Sequence, residues 1–191
     1  MYEPAEDSFL LQGAILAEKL RGKKCLDMGT GSGLQARAMY DAGARDIFCV
    51  DINYKALLKS QQKNVDIKQH LHFIESNLFD KLRDQKFDFI AFNPPYVPSD
   101  KVKWKDLDGG KDGRVTIDLF LSQFVGHLAG KGIVLLLVSS LNKEKEIISK
   151  MKMQGLFCEI VASKKLFFEE LFVLRISKKP NIGLDYVDFK N

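Results

Sequence analysis

Lys24-Cys25-Leu26-Asp27-Met28-Gly29-Thr30-Gly31-Ser32-Gly33 decides the fold of this chain. Its first half is a short apolar run that reads as a buried strand. The second half is a glycine-rich turn, and Leu34 to Tyr40 behind it reads as a helix. Strand, glycine-rich turn and helix is the arrangement that lets backbone approach a bound cofactor closely. A second run, Asp46-Ile47-Phe48-Cys49-Val50, ends in Asp51, 18 residues beyond Gly33. An acidic residue at the end of a second strand can hold the two hydroxyls of a ribose. The glycines are spaced G-x-G-x-G, not the G-x-G-x-x-G of dinucleotide sites, so the loop alone does not name its ligand.

Further along, Phe87-Asp88-Phe89-Ile90-Ala91-Phe92 reads as another buried strand and runs directly into Asn93-Pro94-Pro95-Tyr96. The C-terminal end of a strand is where ligands bind in open α/β sheets. Two consecutive prolines stiffen the backbone and donate no main-chain hydrogen bond. The Asn93 side-chain carbonyl and the main-chain carbonyls of Asn93 and Pro94 are acceptors, and Tyr96 adds a flat ring. Such a rigid acceptor cluster suits a planar NH2 group, an amide or an exocyclic amine, with its nitrogen aimed at an electrophile. The local alternative is a Pro-Pro loop that only closes a strand.

Strands alternate with helices along the rest of the chain, which predicts an α/β, doubly wound, Rossmann-like sheet. Pro4 to Asp7 reads as a helix start, with Phe9, Leu10, Ala14, Leu16, Ala17 and Leu20 as its expected apolar face. Tyr54 to Val65 reads as a helix, and His70 to Glu75 as a third strand leading to Ser76 and Asn77. Val115 to Leu128 is amphipathic, and Gly130-Lys131-Gly132 is expected to turn into the strand Ile133 to Val138. A helix over Asn142 to Met153 and strands over Leu156 to Ala162 and Leu171 to Ile176 complete the series. With 191 residues, one domain over 1–177 is expected, followed by a loosely held tail over 178–191.

Hydrophobic content of 46% and charged content of 28% are ordinary globular values, so neither a fibrous nor a disordered chain is indicated. The net charge of +4 is modest and its lysines and arginines are scattered, unlike the clustered footprint of a duplex-binding protein. Cys25, Cys49 and Cys158 all fall in strand-like runs and no pair has metal-ligand spacing, so they read as small buried hydrophobes in a reducing compartment. His70, His72 and His127 form no Cys/His constellation, and no metal site is expected on this chain. Neither a signal peptide nor a bilayer-length apolar run is present, so a cytoplasmic, soluble protein is expected.

Taken together, these residues resemble class I S-adenosylmethionine-dependent methyltransferases. More narrowly, they resemble the HemK-type enzymes that methylate the glutamine of the Gly-Gly-Gln motif in translation release factors. Three stretches carry the resemblance: Tyr2 to Leu11, Asp27 to Gly33, and Asn93 to Val97 followed by Gly109 to Arg114. The likeness runs from Tyr2 to about Ile176, and the opening segment is similar to the archaeal and eukaryotic branch. It implies a single-domain, seven-stranded mixed sheet with one antiparallel strand set between its neighbours near the C-terminal edge.

The resemblance also implies roles. S-adenosylmethionine would lie against Gly29, Gly31 and Gly33, with Asp51 on its ribose, Asp27 toward its methionine part and Asn77 near the adenine amine. Family members often carry an acidic residue at the position of Asn77, so a neutral acceptor here departs from the pattern. Glu6 and Ser8 fall where the family's N-terminal segment closes over the cofactor. Asn93, Pro94, Pro95 and Tyr96 would hold the substrate amide, with Asn93 also beside the cofactor, and Gly109 to Arg114 would form a lid or a substrate-contact loop. A small zinc-binding activator subunit is implied as a partner through the edge strand near 70–75, with any zinc belonging to that partner. The competing reading is a nucleic-acid adenine-N6 or guanine-N2 methyltransferase, since the same tetrapeptide serves an exocyclic base amine. Such enzymes extrude the base and usually carry a recognition domain or basic cleft, and neither is legible here.

Overall fold

A computed structural model describes residues 4–97 and 112–179. The chain forms α1 (Glu6–Leu16), β1 (Lys24–Met28), α2 (Leu34–Asp41), β2 (Asp46–Asp51) and α3 (Tyr54–Lys63). It continues through β3 (Leu71–Glu75), β4 (Phe87–Phe92), α4 (Val115–Gln123), β5 (Leu128–Ser139), α5 (Glu144–Met153), β6 (Phe157–Lys165) and β7 (Glu170–Ser177). The seven strands form one sheet in the order β3-β2-β1-β4-β5-β7-β6. The first five run parallel; β7 lies antiparallel between β5 and β6. This is the mixed sheet implied by the resemblance, with β3 at one edge.

The central strands read as unbroken apolar runs because both of their faces are covered. Along β4, Phe89 and Ala91 pack into one core with Cys25, Leu135, Leu11, Ile15 and Met39. Ile90 and Phe92 pack on the opposite face with Leu26, Leu136, Phe120, Phe124, Ile147 and Met151. Helices α1 and α2 therefore cover one face, and α4 and α5 the other. The strand bounds expected for β1 and β4 are those observed.

Two local expectations are corrected. The first concerns α1, whose buried residues are Asp7, Ser8, Leu11 and Ile15, while Phe9 and Leu16 are 54% and 48% exposed. The segment is apolar almost all round, so its sequence carries no directional stripe. The face is chosen by Leu11 and Ile15, each contributing roughly 1.5–3 kcal/mol on burial. The second is Gly130-Lys131-Gly132, which is not a turn before β5 but an irregularity inside it. Phe87 pairs with Leu128 and Phe89 with Ile133, so the longer strand bulges past its partner. A Cβ on Gly132 would come within 2.8 Å of the Phe87 carbonyl, which explains why the bulge uses glycine there.

Tyr54 to Val65, expected as a helix, is helical over Tyr54–Lys63, and the 3-10 turn Val65–His70 that follows takes His70 out of the expected third strand. The amphipathic stretch Val115 to Leu128 is helical over Val115–Gln123, tightens to 3-10 at Phe124–His127 and gives Leu128 to β5. Cys25, Cys49 and Cys158 are buried free thiols, and burial pushes Cys25 and Cys158 up to about 12. Among the described residues no helix is long and apolar enough to cross a membrane. Gly109, Gly110 and Lys111 of the expected lid, and the tail from 180 onward, lie outside the described residues.

Candidate active site

The C-terminal ends of β1, β2 and β4 open onto one cleft, lined by Gly29 and Gly31, by Asp51, Ile52 and Asn53, and by Asn93 to Val97. Ser76, Asn77 and Leu78 close it on the β3 side, and Asp7 of α1 reaches it from above the sheet. Four strand-end stretches and the start of α1 thus converge on one cleft, the strand ends as the wound topology dictates.

Each wall has a local cause. Gly29 and Gly31 adopt left-handed backbone, at φ +64° and +51°, which favours glycine. A Cβ on Gly31 would meet nothing closer than 3.8 Å, so the space beside that backbone is left for a ligand. Gly33 serves a different purpose. It is buried as the N-cap of α2, and a Cβ there would collide with Ser60 and Asn64 of α3. It allows the helices to pack and does not line the cleft.

Asp27 is buried behind the loop. Its Oδ2 accepts from Thr30 Oγ1 at 2.6 Å and from the Ala36 amide at 3.0 Å, pinning the glycine turn to the first turn of α2. Burial pushes its carboxyl up to about 7 from the ordinary 3.8, against the pull of those two hydrogen bonds, and the nearby Asp51 charge adds to the rise. Asp51 sits at the cleft wall, where Oδ2 accepts from the Gly31 amide and Oδ1 from the Asn53 amide, both at 2.9 Å. These bonds fix the carboxylate against the glycine loop. Asn77 is exposed at the cleft, just after β3.

Asn93 follows β4, whose last residue, Phe92, packs against Phe120 with ring centroids 4.9 Å apart. Its Nδ2 donates to Asp7 Oδ2 at 3.0 Å and to Ser8 Oγ at 3.3 Å. An ionised carboxylate is acceptor-only, so Asp7 requires the NH2 side of the amide to face it. The carbonyl is thereby directed the other way, and Asn93 Oδ1 is buried with no partner among the described residues. A buried, unpaired acceptor costs on the order of 1–3 kcal/mol, and at the cleft this one is placed to take a hydrogen bond from a ligand's donor.

Beyond the prolines, Asn142 holds the far end of the motif. This fully buried amide donates from Nδ2 to the Tyr96 carbonyl at 2.7 Å and to the Asp112 and Gly113 carbonyls at 3.3 Å. Its Oδ1 accepts from the Ser139 amide at 2.8 Å. Gly113, at φ +65°, could not carry a Cβ without striking the Tyr96 carbonyl. One side chain therefore ties the motif, the start of α4 and the end of β5 together.

The sequence-predicted residues divide accordingly. Gly29, Gly31, Asp51, Asn77, Asn93, Pro94, Pro95 and Tyr96 meet at the cleft. Asp27 and Gly33 stand behind it as supports, and Ser8 touches it through Asn93. Glu6 points elsewhere: it pairs with Lys164 of β6 and does not line the cleft. Asp7 and Asn142 were missed. Each reads locally as a residue at a helix start, and only contacts across 86 and 46 residues of sequence reveal them.

Residues 8–167 match the family model described as methyltransferase small domain. A Methanocaldococcus jannaschii protein, provisionally named a protein N5-glutamine methyltransferase, is 41% identical, covering 91% of this chain and 90% of its own. The mouse methyltransferase HEMK2 is 33% identical over 93% of this chain and 90% of its own. Among solved structures, Mtq2 from the E. cuniculi Mtq2–Trm112 complex superposes with a TM-score of 0.75 at 26% identity, covering 93% of this chain and 98% of that one. That complex is described as responsible for methylation of the translation termination factor eRF1. A ribosomal protein L11 methylase from Lactobacillus delbrueckii, with a TM-score of 0.68 at 16% identity, shares the fold alone. The chain belongs to the methyltransferase small-domain family, in the branch of protein N5-glutamine methyltransferases that holds the HEMK2 proteins.

Proposed function

We propose that this chain transfers a methyl group from S-adenosylmethionine to the side-chain amide nitrogen of a glutamine, the one in the Gly-Gly-Gln motif of a translation release factor. The observation that carries the proposal is Asn93 Oδ1, buried at the cleft with no partner among the described residues and fixed in orientation by Asp7. A glutamine side chain brings the NH2 group that this acceptor lacks. The names of the M. jannaschii relative and of the Mtq2 complex point to the same substrate class.

The residues present fit S-adenosylmethionine. The open backbone at Gly31 accepts a close-lying ligand, Asp51 offers a carboxylate for a ribose diol, and Ile52 and Leu78 add apolar lining against which a planar base could lie, with Asn77 lining the same cleft. When bound, the cofactor supplies an electrophilic methyl carbon, so the protein's task is positioning and exclusion of water. An amide nitrogen is a weak nucleophile because its lone pair is delocalised. Asn93 Oδ1 and the Pro94 carbonyl would each accept one N–H of the substrate amide, aligning the nitrogen and enriching its electron density. The substrate nitrogen would take the methyl that the bound cofactor supplies, leaving its sulfur uncharged, and would release one of its two N–H protons to bulk solvent. No titrating base is required. Asp7 and Ser8 hold Asn93 in register, and Asn142 holds the Tyr96 end of the motif.

A small zinc-binding partner subunit is proposed at β3, with the zinc on the partner. Among the described residues this strand pairs only with β2, which leaves one row of its backbone groups at the sheet edge, where an added strand can pair. A translation substrate would place the enzyme in the cytoplasm.

The test is labelled methyl transfer by the chain co-purified with a candidate partner. Its substrates are a release factor, the factor with Gly-Gly-Gln changed to Gly-Gly-Ala, duplex DNA and ribosomal RNA. Label on the wild-type factor and none on the variant supports the proposal. Label on nucleic acid alone overturns it in favour of the base-amine reading.

A further inference from the structure

Phe167 and Phe168 stand at the tip of the hairpin joining β6 to β7, 92% and 87% exposed, with their rings in edge contact at 4.6 Å. Hairpin tips are the place for Gly, Asn, Asp, Pro and Ser, residues that suit turn backbone and water. Two adjacent phenylalanines do neither. Together they present on the order of 300 Å² of aromatic surface, the size of a small interaction patch. Lys164 and Lys165 precede them and Glu169 and Glu170 follow, so charge surrounds an apolar centre. Polar rim around aromatic anchors is the anatomy of a protein contact.

The hairpin's position says which contact. Because β7 is antiparallel to β5, with Leu171 opposite Ser139, the tip projects from the C-terminal end of the sheet, the end that carries Asn93. It is also braced on both sides to the groups that hold the acceptor motif. On one side Lys164 pairs with Glu6, whose neighbours Asp7 and Ser8 bond Asn93. On the other, Glu169 accepts from Ser139 Oγ, and the Glu170 amide donates to Ser140 Oγ at 3.1 Å. The Ser139 amide in turn bonds Asn142, the clamp on the Tyr96 carbonyl. Across the turn itself, the Leu166 amide donates to the Glu169 carbonyl at 2.8 Å. The aromatic pair is thus held at the end of the sheet that carries Asn93, outside the residues that line the cleft.

We infer that Phe167 and Phe168 are a docking element for the protein substrate, gripping its surface beside the loop that enters the cleft. This rests on the reading of the cleft as a protein glutamine methyltransferase site. The hairpin does not line the cleft that takes the glutamine, so the pair contacts the folded body of the substrate. It distinguishes an intact factor from a short peptide carrying the same motif.

The experiment compares the wild-type chain, with its partner subunit, against the Phe167→Ser/Phe168→Ser pair and the Phe167→Leu/Phe168→Leu pair. Each is assayed on the intact release factor and on a short Gly-Gly-Gln peptide, alongside thermal midpoint, S-adenosylmethionine titration and oligomeric state. The serine pair should raise KM for the intact factor roughly tenfold or more, the scale of losing an aromatic anchor. Its kcat, its peptide kcat/KM and its cofactor affinity should match wild type, and the leucine pair should recover most of the loss. An unchanged KM for the intact factor overturns the inference. So does a parallel loss on factor and peptide, which would mark a structural role. Loss of self-association or of the partner subunit with KM unchanged assigns the pair to a second copy or to that subunit instead. A wild-type chain that leaves the factor unlabelled overturns the functional reading and this inference together; a labelled factor with unaltered KM in the serine pair overturns this inference alone.

Discussion

Asp7 Oδ2 accepts a 3.0 Å hydrogen bond from Asn93 Nδ2, across 86 residues of sequence, and that bond sets which face of the Asn93 amide meets the cleft. The N-terminal helix is therefore part of the site. Its buried face, Asp7, Ser8, Leu11 and Ile15, carries the polar pair that orients the acceptor and the apolar pair that docks the helix.

Asn93→Ala removes the side-chain acceptor and leaves the glycine loop and Asp51 in place. Methyl transfer should fall by roughly two to three orders of magnitude, the usual loss for one preorganised hydrogen-bonding group. Affinity for S-adenosylhomocysteine, read by calorimetry, should change by less than about threefold, a difference of under 1 kcal/mol. Equal losses of rate and cofactor affinity would contradict the division of roles between β4 and the glycine loop.

Asp7→Asn substitutes an amide that can donate as well as accept, so Asn93 loses the group that dictates its orientation. We expect kcat to drop about tenfold, the worth of one charge-assisted hydrogen bond. Ser8→Ala, which removes the longer 3.3 Å contact, should cost less. Stopped-time methylation assays at saturating cofactor check both, and a larger effect from Ser8 would reverse the ranking.

Gly113→Ala and Gly22→Ala separate backbone strain from collision. Both glycines have positive φ, +65° and +73°, but a Cβ on Gly22 meets nothing within 4 Å. Gly22→Ala should cost about 1–2 kcal/mol, the price of the left-handed conformation. Gly113→Ala adds the clash with the Tyr96 carbonyl and should cost several kcal/mol at the upper end of single-residue effects. Thermal midpoints convert these at roughly 2–4 °C per kcal/mol for a chain of this size. Methylation activity should suffer only in Gly113→Ala, since that residue abuts the acceptor motif.

Asp27 makes the stability of the apo chain depend on pH. Its folded carboxyl, at about 7, lies above the ordinary 3.8, so the folded state holds the proton more tightly than the unfolded state between those values. The stabilisation is present in full below the unfolded value and is lost as pH rises through the folded one, at up to roughly 1.4 kcal/mol per pH unit. Asp27→Asn keeps an oxygen for Thr30 and Ala36 and should flatten that slope. Denaturant midpoints measured from pH 4 to pH 8, as the difference between wild type and variant, should converge toward low pH and favour the variant toward high pH. Parallel curves would show that Asp27 does not titrate in this window.

The sheet was largely legible because its central strands are buried on both faces and read as continuous apolar runs. β1 and β4 could be bounded to the residue. The ends of β1, β2 and β4 carry Gly29, Asp51 and Asn93, so much of the cleft was legible with them. The face of α1 was not, because a helix apolar on all sides gives no stripe to read. The Gly130 to Gly132 bulge was hidden because a glycine pair around a lysine is written like a turn, and only pairing with Phe87 shows that the strand continues. Asp7 and Asn142 act through partners far away in sequence. Local chemistry gave them ordinary roles at helix starts, and the fold gave them the acceptor motif to hold.

Whether Asn93 presents a glutamine amide to the methyl donor is read by tandem mass spectrometry of a release factor after incubation with S-adenosylmethionine and either wild-type enzyme or Asn93→Ala. Wild type should add one methyl to the side-chain amide nitrogen of the Gly-Gly-Gln glutamine, and the variant next to none in the same time. Methyl on any other atom of the factor, or equal glutamine methylation by Asn93→Ala, would contradict that role for Asn93.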